Sequence, residues 1–289
     1  MALQVECVVR GRELLGECPL WDERSGTLWW VDILAPALKS FKDSVTTYPL
    51  PEAMGSFAFR EKAGLIAAMK SGVYFFDPET NDKREIAKPE TDLPLNRFND
   101  GRCDRAGRFW AGTMVADPPR APSGALYRVS PAGAWARVRT GVIIPNSLAW
   151  SPEGRTMYFA DTVHDVIWSF DYDMAAGEMS NERLFVDAAA NPGSPDGSCI
   201  DAGGCLWNAE YGGWRVVRYT PAGKVDRVIE LPVQNPTCCC FGGARFDTLY
   251  ITTAAQGLKE PDFEKQPLAG SVLAVRPGVS GLPENRFAG

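Results

Sequence analysis

Short apolar stretches of five or six residues run the length of the chain, alternating with period two and stopped by Gly, Asp or Pro. Such stretches read as β-strands. One phrase recurs: turn residues, then a small or apolar strand, usually with an aromatic. Its copies are Gly26-Thr-Leu-Trp-Trp-Val-Asp32, Gly64-Leu-Ile-Ala-Ala-Met69, Gly107-Arg-Phe-Trp-Ala-Gly112, Gly154-Arg-Thr-Met-Tyr-Phe-Ala-Asp161, Gly204-Cys-Leu-Trp-Asn-Ala209 and Asp247-Thr-Leu-Tyr-Ile-Thr252. Anchored on Leu28, Leu65, Phe109, Met157, Leu206 and Leu249, the spacings are 37, 44, 48, 49 and 43 residues. Their mean of about 44 is the size of one four-stranded propeller blade. A second strand follows each copy, clearest at Val73-Tyr-Phe-Phe76, Ala125-Leu-Tyr-Arg-Val129, Val166-Ile-Trp-Ser-Phe170, Val216-Val-Arg-Tyr219 and Ser271-Val-Leu-Ala-Val275. Long helical periodicity is absent. Six copies predict an all-β, six-bladed β-propeller occupying residues 1–289 as one domain, a ring that leaves few exposed sheet edges. A β-sandwich would need six in-phase copies by coincidence.

Composition narrows the function. Hydrophobic residues make up 45% and charged residues 23%, as in a folded globular chain. Thirty Lys and Arg against 36 Asp and Glu give a net charge of −6, which argues against nucleic acid as a partner. No apolar run of about 18 residues exists to span a membrane. Met1 to Gly16 lacks the apolar core of a secretory signal, so a cytoplasmic location is expected, with the eight cysteines reduced. The single histidine, His164, excludes sites built on two or three imidazoles, and no G-x-S-x-G elbow accompanies it. His164 is expected on a loop after an inner strand. Cys238-Cys239-Cys240 lacks metal-binding spacing, and the cysteines are expected as small buried hydrophobes. The recurring tryptophans are expected to fill space between blades.

In a propeller, the residues at one phase of the repeat meet at one end of the central channel. Counting back ten or eleven positions from each anchor reaches Glu17, Gly55, Asn99, Asn146, Asp196 and Cys238. Four of these six side chains carry oxygen ligands. A site of oxygen donors with two carboxylates suits a hard divalent cation such as Ca²⁺, Mg²⁺ or Mn²⁺; Zn²⁺ or Fe²⁺ fit less typically. Taken singly, Pro145-Asn146-Ser147 and Pro195-Asp196-Gly197 read as ordinary turns. The shared phase favours a site.

The chain resembles the SMP-30/gluconolactonase/luciferin-regenerating-enzyme family, especially its bacterial sugar lactonases. The matching motifs are Leu15-Gly-Glu-Cys-Pro-Leu-Trp21, Asn96-Arg-Phe-Asn-Asp-Gly101, Phe109-Trp-Ala-Gly-Thr-Met114, Ile144-Pro-Asn-Ser147, Pro195-Asp-Gly197 and Cys240-Phe-Gly-Gly243. The resemblance implies a six-bladed propeller with one divalent metal cation held by Glu17, Asn146 and Asp196. It also implies substrate contacts from Arg97 and Asn99, and from Asp117 by a looser alignment. Cys18 departs from the pattern, because relatives usually carry Gly there. It is expected to pack against the blade.

The implied activity is hydrolysis of a sugar lactone to the open aldonic acid. The metal would stabilise the oxyanion, Arg97 and Asn99 would hold the polyol, and Asp196 would accept the proton of the attacking water or act as a ligand alone. Asp100, alternating away from Asn99, is expected to cap the turn to Arg102. A calcium-binding regulatory protein on the same fold and a hydrolase of aryl esters or phosphotriesters are the competing readings. A monomer and a small homo-oligomer both fit.

Overall fold

The structure is a computed structural model describing residues 3–289. Among the described residues, twenty-four strands form six four-stranded antiparallel sheets, and these are the blades of a six-bladed β-propeller. The strands lining the channel are Gly16–Asp22, Met54–Phe59, Asn96–Cys103, Pro145–Trp150, Ser194–Ile200 and Pro236–Gly242, in blades 1 to 6. They touch one another around the ring and are almost wholly buried. The outermost strands, such as Val45–Pro49 and Lys83–Ala87, are mostly exposed. The recurring phrase is therefore the second strand of each blade, as at Thr27–Asp32 and Thr156–Asp161, and not the innermost.

Blade 6 is built from both ends of the chain. Pro236–Gly242, Thr248–Thr253 and Val272–Val275 are completed by Val5–Val9, which pairs antiparallel with Val272–Val275, Val5 opposite Val275. Without it the last sheet would present Val272–Val275 as an unpaired edge. After the last strand, the C-terminal residues cross the ring at the far ends of the inner strands. Gly281 bridges Asp201 and Phe287 bridges Arg60, while Glu284 pairs with Arg102 at 3.3 Å.

The core is divided, as blade geometry requires. Hydrophobic clusters fill each of the six interfaces between neighbouring blades, closing with the one between blade 6 and blade 1 around Leu28, Trp30, Cys240 and Val272. Tryptophans sit at these seams. Trp110, Trp150 and Tyr172 meet with ring centroids 5.8–5.9 Å apart between blades 3 and 4, and Trp21 stacks on Tyr250 between blades 1 and 6. Seven of the eight cysteines are buried, with Cys7 exposed. Cys239 points away from Cys238 and Cys240 toward blade 5, its Sγ 3.6 Å from that of Cys199.

Every inner strand breaks register with its neighbour near its start. The irregularities fall between Glu17 and Leu20, Met54 and Ser56, Phe98 and Gly101, Asn146 and Ala149, Pro195 and Ser198, and Pro236 and Cys238. Such bulges rotate side chains out of the pleat. Asn146 and Asp196 thus lie within strands, and the turn reading of their motifs is corrected. The turn-like sequences mark bulges, with Ser147 at φ 59°.

Blade 2 carries Gly55 at this phase because the neighbouring strand leaves no room. A Cβ there would lie 2.4 Å from the carbonyl oxygen of Phe98 and 2.6 Å from that of Asn99. Gly55→Ala should therefore shift the blade 3 strand and lower stability by about 1–3 kcal/mol, several degrees of melting temperature for a chain of this size. An unchanged thermal melt would show that the two strands are not held this close.

Candidate functional site

A cavity of about 390 Å³ opens at the mouth where the inner strands begin. Glu17, Arg97, Asn99, Asn146 and Asp196, from blades 1, 3, 4 and 5, all line it. The bulges aim them there. Cys18, immediately after Glu17, adopts φ 48°, and Ser147, after Asn146, does likewise at 59°. A left-handed residue suits Gly best. Cys18 is held in it by its thiol, which donates to the Phe57 carbonyl at 3.6 Å and accepts the Phe57 N–H at 3.5 Å. The thiol packs against blade 2, and Cys18 does not line the cavity.

Hydrogen bonds fix the polar residues. Arg97 Nη1 donates to Asn99 Oδ1 at 2.7 Å and to the Phe98 carbonyl at 2.8 Å. Asn99 Nδ2 donates to Asn146 Oδ1 at 3.1 Å and to the Pro145 carbonyl at 3.0 Å. Asn146 Nδ2 donates to Thr162 Oγ1 at 2.7 Å, and that hydroxyl donates to the Pro195 carbonyl at 2.8 Å. The chain Arg97–Asn99–Asn146–Thr162 links blade 3 to blade 5. It fixes both amide orientations, with Asn146 Oδ1 toward Asn99 and its Nδ2 toward Thr162. Beneath Asp196, its own carbonyl accepts from Ser147 Oγ at 2.8 Å and Asn208 Nδ2 at 3.0 Å.

The two carboxylates are the expensive part. Glu17 is 7% exposed and Asp196 6%. Burial first, then the Asp100 carboxylate, push the Glu17 carboxyl up to about 8. Burial, Glu17 and Asp100 hold Asp196 well above the usual carboxylate range. Glu17 accepts one bond, from the Cys18 N–H at 2.9 Å. Among the described residues, neither carboxylate forms an ion pair. Buried like charges without a partner are strongly unfavourable. The donor set is two carboxylate groups and one amide oxygen, all hard oxygen ligands, which fits a divalent cation. Among the described residues, no group of three or more His, Cys, Asp or Glu side chains is arranged to hold a metal ion, so the candidate set rests on two carboxylates and one amide oxygen.

Asp117 lies elsewhere than its partners. It is exposed on the loop after Phe109–Val115 and lines a neighbouring cavity with Leu93, Leu95 and Pro118, although its charge still reaches Arg97. From the same loop Arg120 does line the central cavity, with Thr162 and Tyr211. Sequence periodicity missed these three because none sits at the repeat phase. His164 closes a short 3₁₀ turn, Thr162–His164, after the second strand of blade 4; its side chain is 53% exposed and does not line the cavity. Asp100 is also corrected. It lies inside the strand Asn96–Cys103, where its Oδ2 accepts the Leu148 N–H at 2.9 Å and ties blade 3 to blade 4.

The family described as "SMP-30/Gluconolactonase/LRE-like region" matches residues 15–255 of the chain. A 6-deoxy-6-sulfogluconolactonase from Pseudomonas putida is 39% identical over 99% of both chains. The regucalcin of Xenopus laevis is 35% identical over 100% of this chain and 99% of its own. Among solved structures, a calcium-binding protein, regucalcin, from Agrobacterium tumefaciens superposes with a TM-score of 0.92 at 31% identity, over 97% of each chain.

The raised carboxyls set a pH response. Unfolded, Glu17 would titrate near its ordinary value of 4.5; folded, it holds its proton up to about 8. Between those values the folded state binds more protons, so this residue's contribution to stability falls as pH rises. In chelator-treated protein, Glu17→Gln should melt above the wild type, by a margin that grows from pH 5 to pH 8. Adding a divalent cation should raise the wild type more than the variant. A margin independent of pH would contradict this electrostatic reading.

Proposed function

The chain belongs to the SMP-30/Gluconolactonase/LRE-like family, and from that premise we propose that it is a metal-dependent lactonase opening a sugar (aldono) lactone to its aldonic acid. The supporting observation is that the oxygen donors and Arg97 with Asn99 border one cavity, within the size range of small-molecule sites. The name of the Pseudomonas putida relative supports a hexonic acid lactone as the substrate class. Glu17, Asn146 and Asp196 would hold the cation. Bound there, it would supply Lewis-acid stabilisation of the charge that develops on the lactone carbonyl oxygen.

The chain's own groups do the rest. Arg97 offers a planar donor fork whose Nε is buried without a partner, suited to ring oxygens or to developing charge. Asn99 holds that fork in place through its Oδ1. Asp196 borders both the cation site and the space for substrate, and accepts the proton of the attacking water. The names of the regucalcin relatives support calcium among the candidate ions, beside Mg²⁺, Mn²⁺, Zn²⁺ and Fe²⁺. A calcium buffer, however, would have no use for Arg97 inside the cavity.

Hydrolysis followed by pH-stat, on aldonolactones, aryl esters and phosphotriesters, with chelator and then each cation, tests the reading. Lactone turnover should dominate, vanish with chelator and return with metal. Glu17→Ala, Asn146→Ala and Asp196→Ala should each cost at least about 100-fold in kcat/KM and weaken cation uptake while the fold survives. Arg97→Ala should cost about ten- to a thousandfold with cation uptake retained. Full lactone turnover in all three ligand variants would overturn the assignment, and loss of the cation from Arg97→Ala would overturn that residue's role.

A further inference from the structure

We propose that Thr162 is a positioning residue of this site: its side-chain hydroxyl decides which end of the Asn146 amide is available to a divalent cation. The proposal rests on the metal-dependent lactonase reading above.

The hydrogen bonds from Arg97 to the Pro195 carbonyl all run in one sense. Arg97 donates to Asn99 Oδ1, Asn99 Nδ2 to Asn146 Oδ1, Asn146 Nδ2 to Thr162 Oγ1, and Thr162 Oγ1 to the Pro195 carbonyl. The two ends permit no other sense, because a guanidinium only donates and a carbonyl only accepts. A threonine hydroxyl carries a single hydrogen. With that hydrogen committed to the Pro195 carbonyl at 2.8 Å, Thr162 Oγ1 can only accept from Asn146, which it does at 2.7 Å. The amide must therefore turn Nδ2 to Thr162 and keep Oδ1 on its other side, where Asn99 engages it at 3.1 Å. A carbonyl oxygen has two lone pairs, so one remains. The amide nitrogen only donates, and Asn146 can ligate a hard cation through Oδ1 alone. The direction of one hydroxyl thus sets the ligand polarity of Asn146. A partner that fixes a ligand's orientation in this way also raises its basicity.

The backbone holds Thr162 for this task. It follows Asp161, whose carboxylate accepts the Ile143 N–H at 2.8 Å and the Ile144 N–H at 2.9 Å, just before the inner strand of blade 4. The Thr162 N–H donates to the Ile144 carbonyl at 3.0 Å, and its carbonyl accepts the Asp165 N–H at 3.2 Å, closing the short turn. The side chain is β-branched, which restricts its rotation. Pro195 immediately precedes Asp196. One hydroxyl therefore joins the amide ligand of blade 4 to the strand that carries the carboxylate ligand of blade 5.

Mn²⁺ uptake by chelator-treated protein, read from the loss of the free ion's electron paramagnetic resonance signal, tests this without reference to turnover. Thr162→Val keeps the side-chain shape without the hydroxyl and should weaken Mn²⁺ binding about ten- to a hundredfold. Thr162→Ser should recover most of that loss. A carboxylate has an oxygen at both ends and no wrong orientation. In an Asn146→Asp background, Thr162→Val should therefore weaken Mn²⁺ binding by less than about threefold. A merely structural role would act equally in both backgrounds. Thermal melts of the chelated proteins monitor folding, and Thr162→Ala carries the same comparison if Thr162→Val does not fold. Unchanged Mn²⁺ binding in Thr162→Val, no recovery in Thr162→Ser, an equal loss in both backgrounds or no uptake by Asn146→Asp would each overturn the proposal. The lactonase reading survives those outcomes as long as the wild type binds Mn²⁺ and Asn146→Ala weakens that binding. No Mn²⁺ uptake by the wild type would remove the cation site on which both rest.

Discussion

Two buried carboxylates, Glu17 and Asp196, line one cavity where the inner strands converge, within electrostatic reach of a third acid, Asp100. Folding that places such charges together works against itself in the absence of a compensating cation. The rest of the channel wall makes the arrangement possible. Six interblade clusters supply a divided apolar core, and the inner strands bring residues from remote parts of the chain to one mouth. The site is thus a local cost carried by a ring that is stable elsewhere, the usual relation between a functional centre and its scaffold.

The bulges connect the scaffold to the chemistry. A regular strand would point alternate residues into and out of the sheet. Register breaks lie near the start of all six inner strands, and from blades 1, 3, 4 and 5 side chains beside them reach the cavity. Blades 1, 4 and 5 use that position for oxygen donors, blade 3 for Asn99, and blades 2 and 6 fill it with Gly55 and Cys238. The Gly is explained by the close approach of Phe98 and Asn99. At Cys18 the backbone is left-handed, the conformation Gly adopts best, and the thiol's two contacts with Phe57 show how this chain accommodates a side chain there.

Much of this was legible in the sequence because a propeller repeats. Turn glycines and aromatic strands recur at blade spacing, and counting from them lands on Glu17, Asn99, Asn146 and Asp196. What periodicity cannot report is a pairing that happens once. Val5–Val9 joins a sheet whose other strands begin more than 200 residues later, and nothing in its own pattern names that partner. Bulges masquerade as turns at Pro145-Asn146-Ser147 because both need Asx, Gly or Ser in unusual backbone geometry. Asp100 looked like a cap because alternation alone does not reveal the neighbouring blade whose Leu148 N–H it accepts. Arg120 escaped notice because it belongs to a proline-rich loop with no counterpart in the other blades.

The central claim is geometric: Glu17, Asn146 and Asp196 close around a single cation. Crystals soaked in Mn²⁺ and measured for anomalous scattering test it most directly. The account predicts one strong anomalous peak at the channel mouth, bounded by oxygens of those three side chains at roughly 2.0–2.6 Å. A peak at any other position, or none while these side chains turn away from one another, would contradict it.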